Sequence, residues 1–554
     1  MYPTNFWPSL INTLWFASAQ AEAGQFWKAA QHIEATQSAL LANYLRANAQ
    51  TVYGQRYHFS KLRSVRDYQQ QVPLTTYDDY TNAIERIGRG EPNVLTAEPV
   101  RLLEPSSGSS AASKLIPYTA TLKREFQRGL ATWITDLFRH RPALMRGPAY
   151  WSVSPLLDGA TKTSGGIPIG FEDDSAYLGS LGSVFEKVLA VPNAIKTISD
   201  VSLFRYVTWV HLLSQPELRL ISVWNPTFLS LLLAPLAQWR ESLLADIAQG
   251  TITPLNNAQV SVAAQLHLPA NPTRANQLRT INLNDLHAIW PRLQLISCWM
   301  DGPSASYATA LQQNFPNVWM QAKGLLATEC FVSFPLVHHT GAALAIRSHF
   351  FEFQESATAD IAPNYSPKLA HELKPGRTYS VIVTTGGGLY RYQLQDLVEV
   401  VEMHHALPML RFVGKANRVA DFFGEKLSEA FVSETLSKLF SALQVSPRFA
   451  MLVPHQTAQG FYYVLLLEIN DMREEIAIER ISQQLDALLR ANFNYDYCRK
   501  LGQLNAASVL LVTDGLPHYL AACQQRGMRL GNIKPVALQT NLGWVSASTA
   551  YTWG

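Results

Sequence analysis

The chain has little of what marks the specialised classes of protein. An excess of one charge is missing: 45 Lys and Arg stand against 42 Asp and Glu, a net +3 over 554 residues. So small an imbalance leaves no electrostatic footprint for nucleic acid or for an anionic membrane. Cysteine is scarce. Cys298, Cys330, Cys498 and Cys523 form no CxxC pair, and their spacing suggests neither a zinc site nor a disulfide frame. They read as buried thiols of a reducing compartment, so a cytoplasmic location is expected. Long apolar runs are also missing. The most apolar stretch, Phe228 to Leu236, falls well short of the roughly 20 residues that span a bilayer, and Pro235 interrupts it. The N-terminus lacks a basic run before its apolar residues, so no signal peptide is expected.

What is present is core material. Apolar residues make up 47% and charged residues 16%, a globular balance. A chain this long exceeds one hydrophobic core, so at least two domains are expected. Helical spacing recurs over 22–50, 225–250 and 306–314, and buried-strand patterns stand at 293–301 and 317–322. From 342 to 403 the pattern turns β-like, with a β-branched run at Tyr379–Thr384 and a glycine cluster at 386–388. Beyond it, a strand at Phe461–Glu468, a helix at 473–492 and a strand at Ala507–Val512 suggest a small α+β unit. These elements predict an α/β (α+β) protein: a large N-terminal domain, 1–413, with mixed and parallel sheets, and a small C-terminal domain, 414–554.

Ser106-Ser107-Gly108-Ser109-Ser110 is the most informative local feature. Glycine lets the backbone approach a phosphate, consecutive N–H groups can form an anion-binding nest, and the hydroxyls add donors. Lys114 supplies charge nearby. The run lacks the GK[ST] ending of a Walker A loop and is not GxGxxG. By itself it reads equally well as a Ser/Gly surface linker. Trp224, Phe228 and Leu231 are spaced i, i+4, i+7, which predicts one helix face that either lines an apolar pocket or is core.

Three further segments follow the serine-rich one in order: GLLATECFVSFPL, VTTGGGLYRYQLQDLVEV and GNIKPVALQT. Together the four resemble the adenylate-forming superfamily, and within it the auxin-responsive family of acyl-acid amido synthetases, over about residues 40 to 540. The resemblance implies an ATP- and Mg²⁺-dependent ligase that activates a carboxylic acid as its acyl-adenylate and passes the acyl group to an amine, an amino acid above all. By that resemblance Ser106–Ser110 hold the β/γ-phosphates. Thr328 contacts the nucleotide, and Glu329 is catalytic and ligates Mg²⁺. Phe350 packs on the adenine, and Asp396 takes the ribose hydroxyls. Lys534 is a mobile catalytic lysine, swung in about a hinge near Lys415–Arg418, and Lys426 in GEKLSE makes a further nucleotide contact. The expected partners are a small carboxylic acid and an amine, with no nucleic acid and no membrane, and the chain is expected to act as a monomer. Two departures stand out: Gln395 precedes Asp396 where the family usually has glycine, and Ser230 stands near the place where the plant enzymes often carry an arginine that recognises a second carboxylate on the acyl acid, which argues against the plant hormone substrates. An acyl-CoA or other thioester ligase, and a catalytically silent nucleotide-binding protein of the same fold, are the alternative readings.

Overall fold

A computed structural model gives the fold. It describes residues 6–106, 114–152, 162–170, 187–198, 200–253, 266, 268–283, 285–355, 366–416, 418–457, 460–469, 478–525, 528 and 533–545. The chain divides into two compact units: residues 1–299, 314–394 and 398–411 form the larger, and 300–313, 395–397 and 412–554 the smaller. The smaller unit thus also takes in two segments from before residue 414. The first carries the helix Ala305–Asn314, whose buried Tyr307 accepts a hydrogen bond from the Ala450 backbone.

In the larger unit, Phe6–Ala29 and Ile33–Ala47 are helical, so helix begins well before residue 22. A four-stranded parallel sheet runs in the order Ala149–Trp151, Leu220–Ser222, Leu295–Cys298, Trp319–Ala322. Buried on both faces, these strands read as short apolar runs. The helix Ala120–His140 starts where Thr119 caps the Leu122 N–H, and Arg139 in its last turn is a cation that suits a helix C-terminus. A second, seven-stranded sheet has the order Lys368–Leu369, Phe350–Glu355, Thr378–Thr384, Tyr392–His404, Leu407–Lys415, Ala342–Leu344, Ser333–Pro335.

Expected helix 225–250 is two helices, Pro226–Leu233 and Leu236–Gln249. Pro235 between them lacks the N–H that would continue the ladder. Asn225 caps the first one and Pro226 occupies its first turn. Trp224 therefore precedes the helix and shares no face with Phe228 and Leu231, which corrects the expected stripe. Phe228 is buried, with its ring edge toward Phe204.

The smaller unit is built on the strands Phe449–Thr457, Gly460–Glu468 and Ser508–Leu511, the first pair antiparallel and the second parallel. Its core gathers Leu452, Tyr463 and Leu465 with Leu436, Leu439, Ile481 and Leu485 from the helices Glu429–Leu443 and Ile478–Leu489. Leu452 exchanges backbone hydrogen bonds with Ala537 (2.8 Å) and Gln539 (2.9 Å). These bonds lay the C-terminal segment along the sheet and fix the stretch that begins with Lys534.

Candidate active site

The serine-rich segment joins two antiparallel strands, Leu102–Ser106 and Lys114–Tyr118, with Ser106 opposite Lys114. Ser107, Gly108, Ser109 and Ser110 lie outside the described residues. At the base of this hairpin, the Lys114 ammonium sits 5.4 Å from the centre of the Tyr77 ring, and the Leu115 N–H donates to the Tyr77 hydroxyl at 2.8 Å. At the far end of its second strand, the Tyr118 hydroxyl donates to the Thr328 carbonyl at 2.6 Å.

Thr328 and Glu329 form the tip of a second tight turn. Ala327 and Cys330 exchange backbone hydrogen bonds across it, and Leu326 pairs with Phe331. The Glu329 carboxylate is half-buried and accepts from the Tyr392 hydroxyl at 3.4 Å. Burial raises the pKa of both Tyr392 and Tyr77, and the Glu329 charge adds to it, while the Leu115 backbone hydrogen bond opposes the rise at Tyr77. Both phenols are thus neutral donors at physiological pH. The first two sequence motifs therefore meet within the larger unit.

A buried network holds the Glu329 turn in place. The Phe331 N–H donates to His349 Nε2 at 2.9 Å, so the imidazole proton is on Nδ1, which faces Glu125 Oε2 at 2.9 Å. Glu125, on the helix Ala120–His140, also accepts from the Tyr44 hydroxyl and from the Gly386 N–H. Gly386 has to be glycine, because an added Cβ would lie 2.4 Å from Thr121 Cγ2 and 2.6 Å from Glu125 Oε1. His349 is thus a structural residue and no general base. His211 is also buried, and burial lowers it to about 4.

Phe350 is corrected. Its ring is buried in a cluster with Leu41, Tyr68 and Tyr390 and meets Tyr68 edge-on at 6.0 Å. No face of it is left for an adenine. Arg391, from the Leu-Tyr-Arg-Tyr segment, is buried as well. It pairs with Glu352 and donates to the carbonyls of Gln69 and Val72.

The last two motifs meet within the smaller unit. Asp396 is buried and pairs with the Lys415 ammonium at 2.9 Å. Lys534 is half-buried, and its carbonyl accepts from the Tyr519 hydroxyl at 2.8 Å. Burial lowers its ammonium to about 8. Asp396 and Glu429 oppose that shift, and Lys415 and Arg418 add to it. Gln395, before Asp396, has φ +62°. The chain there adopts the left-handed conformation that glycine takes at no cost. Lys426 is exposed on the turn between Val419–Ala420 and Leu427–Ser428, with φ +45°. The buried group of that turn is its neighbour Glu425, which accepts from Phe422, Phe423 and Tyr463.

Comparison with known proteins places most of the chain. The GH3 family N-terminal domain matches residues 22–320, its central domain 342–415 and its C-terminal domain 428–542. The chain belongs to the GH3 family. Among GH3 relatives, the indole-3-acetic acid-amido synthetase GH3.2 of Arabidopsis thaliana is 24% identical over 456 residues, covering 74% of this chain and 79% of the relative. The solved GH3.15 acyl acid amido synthetase in complex with 2,4-DB superposes with a TM-score of 0.82 at 20% identity, covering 95% of this chain and 94% of that one. A 2-hydroxyisobutyryl-CoA ligase in the postadenylation state superposes with a TM-score of 0.50 at 11% identity, covering 90% and 93%. The chain thus shares its fold with a solved GH3 acyl acid amido synthetase and with a solved acyl-CoA ligase.

Proposed function

We propose that this chain is an acid–amine ligase that activates a carboxylic acid with ATP and transfers the acyl group to an amine, an amino acid being the acceptor class. The observation that carries the proposal is the pairing of motifs inside each unit of a GH3 chain: the serine hairpin with Glu329 in one, Asp396 with Lys534 in the other.

In the first half-reaction a carboxylate oxygen attacks the α-phosphorus of ATP. A C(O)O–P bond forms, the α–β bridging P–O bond breaks, and pyrophosphate leaves. Such a displacement needs in-line positioning and neutralisation of crowded negative charge more than proton transfer. The serine hairpin, with Lys114 at its base, supplies donors and charge for the β/γ-phosphates. Mg²⁺ is a hard cation that one or two carboxylates can hold together with substrate phosphates. A single carboxylate at a turn tip, Glu329, fits that habit. When bound, the ion would neutralise phosphate charge. Asp396 offers the ribose hydroxyls its second oxygen while Lys415 holds the first. Lys534 stabilises the charge that builds at the α-phosphate. In the second half-reaction the amine nitrogen attacks the acyl carbon, the C–O bond to phosphate breaks, AMP leaves and the amine proton goes to solvent. AMP is a good leaving group, so this step needs little help from a base.

The test is a pyrophosphate-release screen of carboxylic acids, followed by mass spectrometry of products formed with mixed amino acids or with coenzyme A. Acid-dependent pyrophosphate and an amide product are expected. A thioester product would make the chain a thioester ligase. Absence of acid-dependent pyrophosphate with every acid would leave a silent nucleotide-binding protein.

A further inference from the structure

Within the smaller unit, the stretch that carries Lys534 is fixed at several points. Its backbone pairs with Leu452 on the small sheet, and the Tyr519 hydroxyl donates to the Lys534 carbonyl. Glu429 adds a further point. Its Oε1 accepts from the Ala537 N–H at 3.3 Å and from Arg418 Nη1 at 3.1 Å. The Glu429 N–H in turn donates to the Arg418 carbonyl at 2.9 Å. Glu429 thus bonds both to the lysine-bearing stretch and to Arg418, the last residue of the expected hinge.

Glu429 opens the helix Glu429–Leu443, whose cap is Ser428. An acidic first residue suits the positive end of a helix, and it can do so while exposed to water. Glu429 is instead buried, with 3% of its surface exposed. A buried ion pair repays its desolvation only in part, so stability gives little reason for this placement. The charge has a clearer use. Lys534 faces two anions, Asp396 and Glu429, and two cations, Lys415 and Arg418. Asp396 pairs with Lys415, and Glu429 pairs with Arg418. The Tyr519 phenol also faces Glu429 and Arg418, but burial pushes its pKa up and keeps it neutral. Each anion therefore offsets one cation. Without Glu429 the Arg418 guanidinium would press unopposed on the lysine. Burial already lowers Lys534 to about 8, and loss of the carboxylate would lower it further.

We propose that Glu429 is a positioning residue for Lys534: its one carboxylate fixes the lysine-bearing stretch to Arg418 and offsets the cations that crowd the ammonium. The lysine then arrives at the α-phosphate with its charge intact and its backbone held. This rests on the ligase reading for its place in the reaction. The coupling between the two residues is tested without any substrate.

Reductive methylation with isotope-labelled formaldehyde marks the lysines of the folded full chain for NMR, and the Lys534 signal is the one missing from Lys534→Arg. Glu429→Gln keeps the side-chain length and an oxygen for the Ala537 N–H but removes the charge. It is expected to move the Lys534 titration to lower pH by about half a unit or more. Arg418→Met removes a cation and should move it to higher pH, and Glu429→Asp, which keeps the charge, should stay nearer the wild-type chain. Circular dichroism and urea unfolding establish that the variants fold. Arg418→Met leaves the carboxylate in place and carries the test where Glu429→Gln does not fold. A Lys534 titration unmoved by Glu429→Gln, or by Arg418→Met in its stead, overturns the proposal. Pyrophosphate release is then followed against pH across a set of carboxylic acids. Glu429→Gln should shift the alkaline limb of kcat downward with KM for ATP within about twofold. In a Lys534→Arg background it should shift nothing, because guanidinium stays charged. An equal loss of rate in both backgrounds, with no shift of the limb, makes Glu429 merely structural and also overturns the proposal. Acid-dependent release whose limb ignores Glu429→Gln leaves the ligase and removes the coupling. A Lys534 titration that follows Glu429, with no release from any acid, leaves the coupling and removes the ligase.

Discussion

Gln395 shows how one position can depart from a family pattern and still obey its geometry. The family resemblance puts glycine before the motif aspartate, and this chain has a left-handed backbone there, with φ +62°, while using a side chain that disfavours it. A non-glycine residue in that region costs about 1–3 kcal/mol. The Gln395 carbonyl accepts from the Ala416 N–H at 2.7 Å, which helps hold the turn. Gln395→Gly is expected to raise the urea midpoint, by up to about 1 kcal/mol once the greater freedom of glycine in the unfolded chain is offset. Gln395→Val should lower it by about 2 kcal/mol, since a β-branched residue resists this backbone. A glycine variant less stable than the valine variant would contradict the strain argument. The aspartate that follows was legible from its motif. The strain was not, because a backbone angle leaves no mark on a sequence.

At the scale of elements, the turn carrying Glu329 is held by groups far from it in the chain. His349, Glu125, Tyr44 and Gly386 come from a strand start, two helices and a glycine turn, and the histidine accepts the Phe331 N–H just beyond the turn. His349→Leu keeps the volume but removes that acceptor and the imidazole that faces Glu125. The expected cost is about 2–3 kcal/mol in urea unfolding, together with a raised KM for Mg-ATP as Glu329 loses its position. Unchanged stability and an unchanged KM would detach this network from the site. Tyr44, Gly386 and Glu125 each look ordinary in sequence. Their importance arises only from contacts between residues as far apart as 44 and 349.

Across the whole molecule, the proposed site residues fall in both compact units, and the smaller one holds Lys534 near Asp396, Lys415, Arg418 and Glu429. Burial and the two neighbouring cations bring Lys534 down to about 8 from the ordinary lysine value. A lysine is charged below its pKa, so the cation is present below about pH 8 and is lost above it. The kcat for pyrophosphate release is expected to fall above about pH 8. Lys534→Arg should carry activity to higher pH, because guanidinium stays charged. Lys534→Ala should lose rate at every pH while ATP affinity is largely retained. An alkaline limb that stays put in Lys534→Arg would assign it to another group.

The sequence by itself determined the class: an α/β chain with a large and a small domain, four ordered motifs, and the proposal of Glu329, Asp396 and Lys534 as site residues. Motifs survive in sequence because short runs of backbone and side chain do their work locally. The tertiary structure decided everything that depends on which distant residues meet. It buried Phe350 in the core, where an aromatic on a central strand gains most by packing. It placed Trp224 before a helix cap and turned it toward Lys323, and it aligned Ser222, Ser297 and Gln321 from strands up to about a hundred positions apart. Strand register and burial are properties of the folded sheet, and no spacing along the chain encodes them.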